Sequence, residues 1–221
     1  MTDVPKKKTG CFMRLVLFVL FLSATVLLAC FWFILQPQDL SDIAGQAPEP
    51  GSRNVSVVLQ NASKRNIPVT LSEKEINVWL NQRLKGSQTG VPGGRVKFER
   101  VLVRLEEDLA EVILTRKVFG RPFTVSMFVC LNQTEEQDGP KTEALLHGGP
   151  YHPEMNRPDR GGRFGRLVVP QGFLLLVLPS YKNLAVALAP EIEIAFHEME
   201  RIAIKDGRLE LNPARPQDDL R

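Results

Sequence analysis

The chain has 221 residues, with 28 Lys and Arg against 25 Asp and Glu and a formal net charge of +3. Lys6, Lys7, Lys8, Arg14 and Asp3 take four of those bases and one of those acids, so the region after residue 35 holds 24 of each and no net charge. A nucleic-acid partner needs a basic face that competes for phosphates, and that balance excludes one.

Leu15 to Leu35 runs 21 residues without a charge. As a helix it is about 32 Å long, enough to cross the hydrocarbon core of a bilayer. Lys6, Lys7, Lys8 and Arg14 precede it, and Asp39, Asp42 and Glu49 follow it with no base before residue 50. The positive-inside rule then predicts a cytoplasmic N-terminus (residues 1–14), a single-pass anchor (15–35) and an extracytoplasmic remainder, periplasmic if the cell is Gram-negative. Leu27-Leu28-Ala29-Cys30 offers a rival reading, a lipoprotein cleavage box with Cys30 lipidated. Leu28, two before the Cys, is a poor match to that box, and Phe31 to Leu35 continue the apolar run without a small-x-small exit, which favours the uncleaved anchor.

Residues 36–53, with Pro37, Gly45, Pro48, Pro50 and Gly51, read as a spacer that lifts the domain off the bilayer. Residues 54–212 form the expected exported domain. Val55 to Leu59 reads as a short strand. Ser72 and Glu75 make a capping box, and Ile76, Trp79, Leu80 and Leu84 follow at helical spacing. From Val96 the period becomes two. Three strands follow, to about Glu106, from Leu109 to Val118 and from Phe123 to Val129, with turns at Glu107-Asp108 and Gly120-Arg121-Pro122 and a fourth strand at Thr142 to His147. His147 to Arg166, rich in Gly, Pro and Arg, reads as a long loop. A second helix is expected from about Ser180, with Leu184, Leu188, Ile192, Ala195, Phe196 and Met199 inward and a kink or split at Pro190. Ile202 to Leu211 closes as a hairpin over Asp206-Gly207. Residues 213–221 are a polar tail. The predicted class is α+β: an antiparallel curved sheet, meander plus C-terminal hairpin, packed with two amphipathic helices and preceded by one transmembrane helix.

Leu71-Ser72-Glu73-Lys74-Glu75-Ile76-Asn77, Gly165-Arg166-Leu167-Val168-Val169-Pro170 and the Ile202–Leu211 pair occur in an order that resembles the YpmS-type single-pass membrane-anchored proteins. The resemblance implies a tethered α+β domain and carries no catalytic signature. The chain is also similar to small extracytoplasmic domains that cradle lipid tails between a curved sheet and a helix.

The chemistry-bearing residues are sparse. His147, His152 and Glu154 have metal-ligand side chains, but Pro and Gly between them fix no spacing, and no metal or cofactor is expected. His197 lacks an indicated partner for acid–base work. Cys130, the one cysteine after the apolar segment, sits in Phe128-Val129-Cys130-Leu131 and reads as a buried apolar residue. Asn54, Asn61 and Asn132 begin glycosylation sequons. No phosphate loop, dinucleotide fingerprint or nucleophile elbow is present, so no enzyme is expected. Arg157, Arg160, Arg163 and Arg166 recur every third residue and form a candidate anion or partner loop, since guanidinium forks match phosphate geometry. Val101, Val103, Val112, Leu114, Val125, Met127, Phe173, Leu184 and Leu188 are the candidate lining of an apolar ligand site. The expectation is a non-enzymatic, membrane-anchored domain that binds lipid or another apolar ligand. The alternative is a structural component of a cell-envelope complex, with an envelope protein as partner.

Overall fold

The structure, a computed structural model, describes residues 10–44, 53–85, 96–106, 108–136, 139–146 and 160–213. Residues 86–95, Glu107, most of the 147–166 loop, Lys6 to Lys8 and the polar tail lie outside them. The class is α+β with antiparallel sheets and one N-terminal apolar helix.

Helix α1 (Cys11–Leu35) is followed by a short helical turn, α2 (Ser41–Ala44). Residues 12–35 are long and apolar enough to cross a membrane, and none of that span is buried against the rest of the chain. Helix α3 (Val55–Arg65) replaces the strand expected at Val55 to Leu59. Asn54 accepts from Ser56 N at 3.0 Å as N-cap, and Val55, Leu59 and Ala62 bury one stripe at helical spacing. That tertiary stripe overrides the β-branched preference of Val55, Val57 and Val58.

Strand β1 (Val69–Ser72) leads into α4 (Glu73–Lys85) through the predicted capping box. Ser72 N and Oγ both donate to Glu75 Oε2 at 2.9 Å, and Glu75 N donates to Ser72 Oγ at 3.3 Å. The large sheet begins with β2 (Val96–Glu106), β3 (Leu109–Val118) and β4 (Arg121–Glu136) as a meander. β5 (Gly139–Leu146) pairs with residues 129–136 of β4, and β6 (Arg160–Phe164) with residues 125–127 of the same strand. β7 (Leu167–Pro170) pairs with β6. Strand β6 therefore replaces the C-terminal part of the expected loop, and β7 follows directly after it.

A 3-10 segment (Gln171–Leu176) then crosses to α5 (Leu178–Ala187) and α6 (Ala189–His197). The predicted second helix is thus split at Leu188, just before Pro190. Met199, expected on its inner face, begins β8 (Met199–Lys205) instead. The closing hairpin of β8 and β9 (Arg208–Pro213) joins β1 in a separate three-stranded sheet, order β1-β9-β8.

The small sheet lies at one end of the large one. Asp108 N, beside the β2–β3 turn, donates to Ile204 O, and Thr142 Oγ1 on β5 accepts from Ile202 N. The motif around α4 fixes the edge strand β2. Asn77, buried, donates to Val103 O at 2.8 Å and accepts from Val103 N at 2.6 Å, while Glu73 accepts from Leu105 N at 2.8 Å. Those bonds occupy the backbone groups that an exposed sheet edge would offer to another chain.

Candidate functional site: a strapped carboxylate and an open apolar strip

The large sheet has two covered faces. Facing α4 and α5, Val101, Val103, Val112, Leu114, Val125 and Met127 join one hydrophobic cluster with Leu80, Leu84, Tyr181, Leu184 and Leu188. The predicted apolar lining residues other than Phe173 are all in this cluster, packed against one another and against Leu80, Leu84 and Tyr181. Tyr181 closes the cluster, its hydroxyl shared between Val125 O at 3.1 Å and Val112 O at 3.2 Å. Burial, reinforced by the Glu111 charge, pushes the Tyr181 phenol far above its usual range and keeps it a donor.

The opposite face is covered by the chain that leaves α1. Phe33 O accepts from Arg166 N at 3.0 Å, and Gly165 N donates to Thr124 O at 2.8 Å. Gly165 has φ +56, and a Cβ there would meet Ile34 O at 2.3 Å and Gln36 O at 2.4 Å. Only glycine lets the β6–β7 turn close on the end of α1. Residues 36–44, read from sequence as part of a spacer, then run along the sheet as a strap. Gln38 N donates to Thr124 Oγ1 at 3.0 Å and Gln38 Nε2 to Ser126 Oγ at 3.2 Å. Leu40 and Ile43 pack on Leu102 and Ile113 in a small cluster of their own.

Under the strap lies Glu111, fully buried. Ser126 Oγ donates to its Oε1 at 2.5 Å, and Arg104 Nη1 lies 3.2 Å from Oε2. Arg163 Nε stands 3.6 Å from Oε1, with its guanidinium 5.4 Å above the Phe128 ring. Arg104 also reaches the strap, donating to Asp39 O and to both oxygens of Asp42. Burial opposes its charge, but Asp42 and Glu111 outweigh that and raise the Arg104 pKa. Two guanidiniums and a hydroxyl thus meet one interior carboxylate, the condition under which a buried charge is tolerated.

The arginine series is divided by this geometry. Arg163 belongs to the buried network, Arg166 is exposed at the α1 junction, Arg160 lies on β6, and Arg157 is outside the described residues. His147, His152 and Glu154 are outside them too, and His197 is exposed at the end of α6. Among the described residues no group of three or more His, Cys, Asp or Glu side chains is placed to hold a metal ion. A cleft of about 360 Å³ at the small-sheet end is lined by Asp108, Cys130, Gln133, Arg201 and Lys205 with neighbouring apolar residues.

The predicted lining residue Phe173 stands outside the core, 56% exposed. It belongs to a strip with Val168, Leu175 and Leu176, the last two 71% and 78% exposed. The strip begins on β7, three residues after Gly165, and continues along the 3-10 segment. Leu174 alone in that segment turns inward, over Gly162, where a Cβ would lie 2.9 Å from Leu174 Cδ2 and 2.0 Å from Ser126 O. The sequence signal for the strip is Phe173-Leu174-Leu175-Leu176, a run too apolar for a single buried position. No protein-family model, curated protein or solved structure shows a significant match to this chain.

Proposed function

We propose that this chain is a membrane-anchored, extracytoplasmic, non-enzymatic binding domain that works at the bilayer surface and takes a lipid or another apolar ligand. The observation that carries this reading is the junction at Gly165. The end of α1 is clamped to the β6–β7 turn and the strap follows without a free spacer, so the domain is held against whatever membrane α1 enters. The strip Val168, Phe173, Leu175 and Leu176 then offers an apolar surface close to that membrane. The likeness to YpmS-type proteins, which share the single anchor, is part of this proposal.

A filled core beside an exposed strip also favours a second reading, a structural component of an envelope complex that docks a protein there. Native mass spectrometry of the full chain released from detergent separates the two. Lipid retained at a defined stoichiometry, and lost in Leu175→Ser/Leu176→Ser, is the expected result. A bare mass together with a stable co-purifying protein lost in the same variant would replace the lipid reading with the assembly one.

A further inference from the structure

Residues 167–181 are the longest stretch without a charge after α1, and Arg166 and Lys182 bound it. At its centre lies the 3-10 segment Gln171–Leu176. Three residues make one turn of such a segment, so positions three apart share a face. Gln171, Leu174 and Val177 share the inward one: Leu174 is buried, and Val177 packs against the helix-face cluster. The outward faces carry Phe173, Leu175 and Leu176, all exposed. In water those positions call for polar residues. Three large apolar ones together point to a covering partner.

Place in the fold identifies that partner. β7 is the outer strand of the large sheet, in the order β2-β3-β4-β6-β7, and α1 meets the sheet at β6 and β7. The strip thus leaves the same sheet edge that receives α1. Its height above the junction follows from the register. Leu174 sits over Gly162, which pairs with Met127 on β4. Gly165, clamped to the end of α1, donates to Thr124 O on the same strand. Three residues of strand separate the two levels, about 10 Å. A headgroup layer is about 5–7 Å thick, and interfacial segments bury their apolar face about 5–10 Å deep. The strip therefore lies within reach of the boundary between headgroups and acyl chains. The small sheet is farther away, since Asp108, which bonds Ile204 O, adjoins the Leu109–Cys130 pair, six residues along β4 from Thr124.

We infer that the strip is a second membrane contact, with Phe173, Leu175 and Leu176 entering the headgroup–acyl boundary of the bilayer that α1 crosses; this rests on α1 spanning a membrane and on the strip being the apolar binding surface. The occupant named is the leaflet itself, not a lipid drawn out of it. The core beneath the strip is filled, so it offers a surface and not a chamber. Arg166 and Lys182, both exposed, stand at the two ends of the uncharged stretch, where long cationic side chains reach back to the phosphate layer. Two contacts fix the tilt of the domain, where a single helix leaves it free to rotate.

The full chain, with Cys11, Cys30 and Cys130 replaced by Ser, is reconstituted in phosphatidylcholine vesicles. An NBD label is placed at Leu176→Cys, Asp206→Cys or Ser23→Cys. It is quenched by phosphatidylcholines whose doxyl group lies shallow or deep in the acyl chain. Leu176 and Asp206 are both exposed, so neither label disturbs the core. Quenching several-fold stronger at 176 than at 206, and stronger from the shallow doxyl than from the deep one, is expected. Equal quenching at 176 and 206, with 23 quenched, overturns the inference and leaves the anchor standing. Native mass spectrometry then separates the two readings of the strip. Lipid lost in Leu175→Ser/Leu176→Ser keeps it as a site for a single ligand, and a bare mass removes the ligand reading as well. Blue-shifted but unquenched emission at 176 assigns the strip to a second copy of the chain and overturns the inference. Absence of quenching at 23 overturns the anchor reading and the inference with it.

Discussion

On the side of α4 and α5, the large sheet meets apolar side chains that fill their own space, with one tyrosine hydroxyl bonded to backbone. On the other side it meets a nine-residue stretch, 36–44, that brings Leu40 and Ile43 as buried apolar groups and holds on through Gln38, Asp39 and Asp42. The first face is non-directional and tolerant of exchange among similar volumes. The second is directional, and its strength depends on every polar partner being present. The contrast shows how a short polar segment is fixed to a sheet without a large apolar area of its own.

The largest effect separating the faces is expected from Glu111→Ala. It leaves Arg104 and Arg163 beside an empty carboxylate position and should cost about 3–5 kcal/mol, the range for breaking a buried ion pair from one side. Leu114→Ala on the helix face should cost a similar amount, about 2–5 kcal/mol, through lost burial and a cavity. The distinguishing readout is local. Limited proteolysis should cut residues 36–44 in Glu111→Ala while the rest resists, whereas Leu114→Ala should expose the whole domain together. Equal strap protection in both variants would mean that the carboxylate network does not hold the strap.

Gly165→Ala comes next. The added methyl collides with backbone carbonyls of the α1 terminus, which cannot swing aside as a side chain would, and φ +56 disfavours any L-residue. A cost of about 1–3 kcal/mol is expected from overpacking. The effect should concentrate at the junction: hydrogen exchange should quicken at Gly165 and Arg166, whose amides bond Thr124 and Phe33, and leave α4 unchanged. Unaltered exchange at those two amides would show that the clamp tolerates a side chain.

The helix face was legible in the sequence because period-two alternation placed Val101, Val103, Val112 and Leu114 together, and helical spacing in α4 supplied their cover. The capping box and the Asp206-Gly207 turn were legible because each is local chemistry at fixed offsets. The strap face was not. Arg104, Glu111 and Arg163 alternate with apolar residues as a solvated face does, and the Pro- and Asp-bearing stretch over them has the composition of a linker. The available signal was Leu102, Ile113 and Phe128 on that same face, since a strand apolar on both sides is covered on both. The glycines at 161, 162 and 165 read as part of a long loop, although in the fold Gly162 and Gly165 admit close backbone approach. The β3–β4 turn runs through Phe119 and Gly120, one residue before the Gly120-Arg121-Pro122 that composition points to, because a Phe in the left-handed region is not a turn signal.

The smallest effect concerns the α4 cap, which ties the helix face to residues before it. Burial opposes ionisation of Glu75, but the bond from Ser72 N, with Arg53 Nε at 2.9 Å, outweighs it and holds the carboxyl below its ordinary value of 4.5. A lowered folded pKa means that the ionised form stabilises the fold. That contribution is complete above the ordinary value and is lost as pH falls through the lowered one. Glu75→Gln keeps an acceptor for the capping box and removes the charge, so it should lower stability at neutral pH by about 0.3–1 kcal/mol, the scale of a partly exposed pair. In acid the wild-type carboxyl is itself neutral, and the two stability curves, measured by denaturant unfolding across pH, should converge. A constant gap at all pH values would assign the loss to packing and remove the charge from the account of the cap.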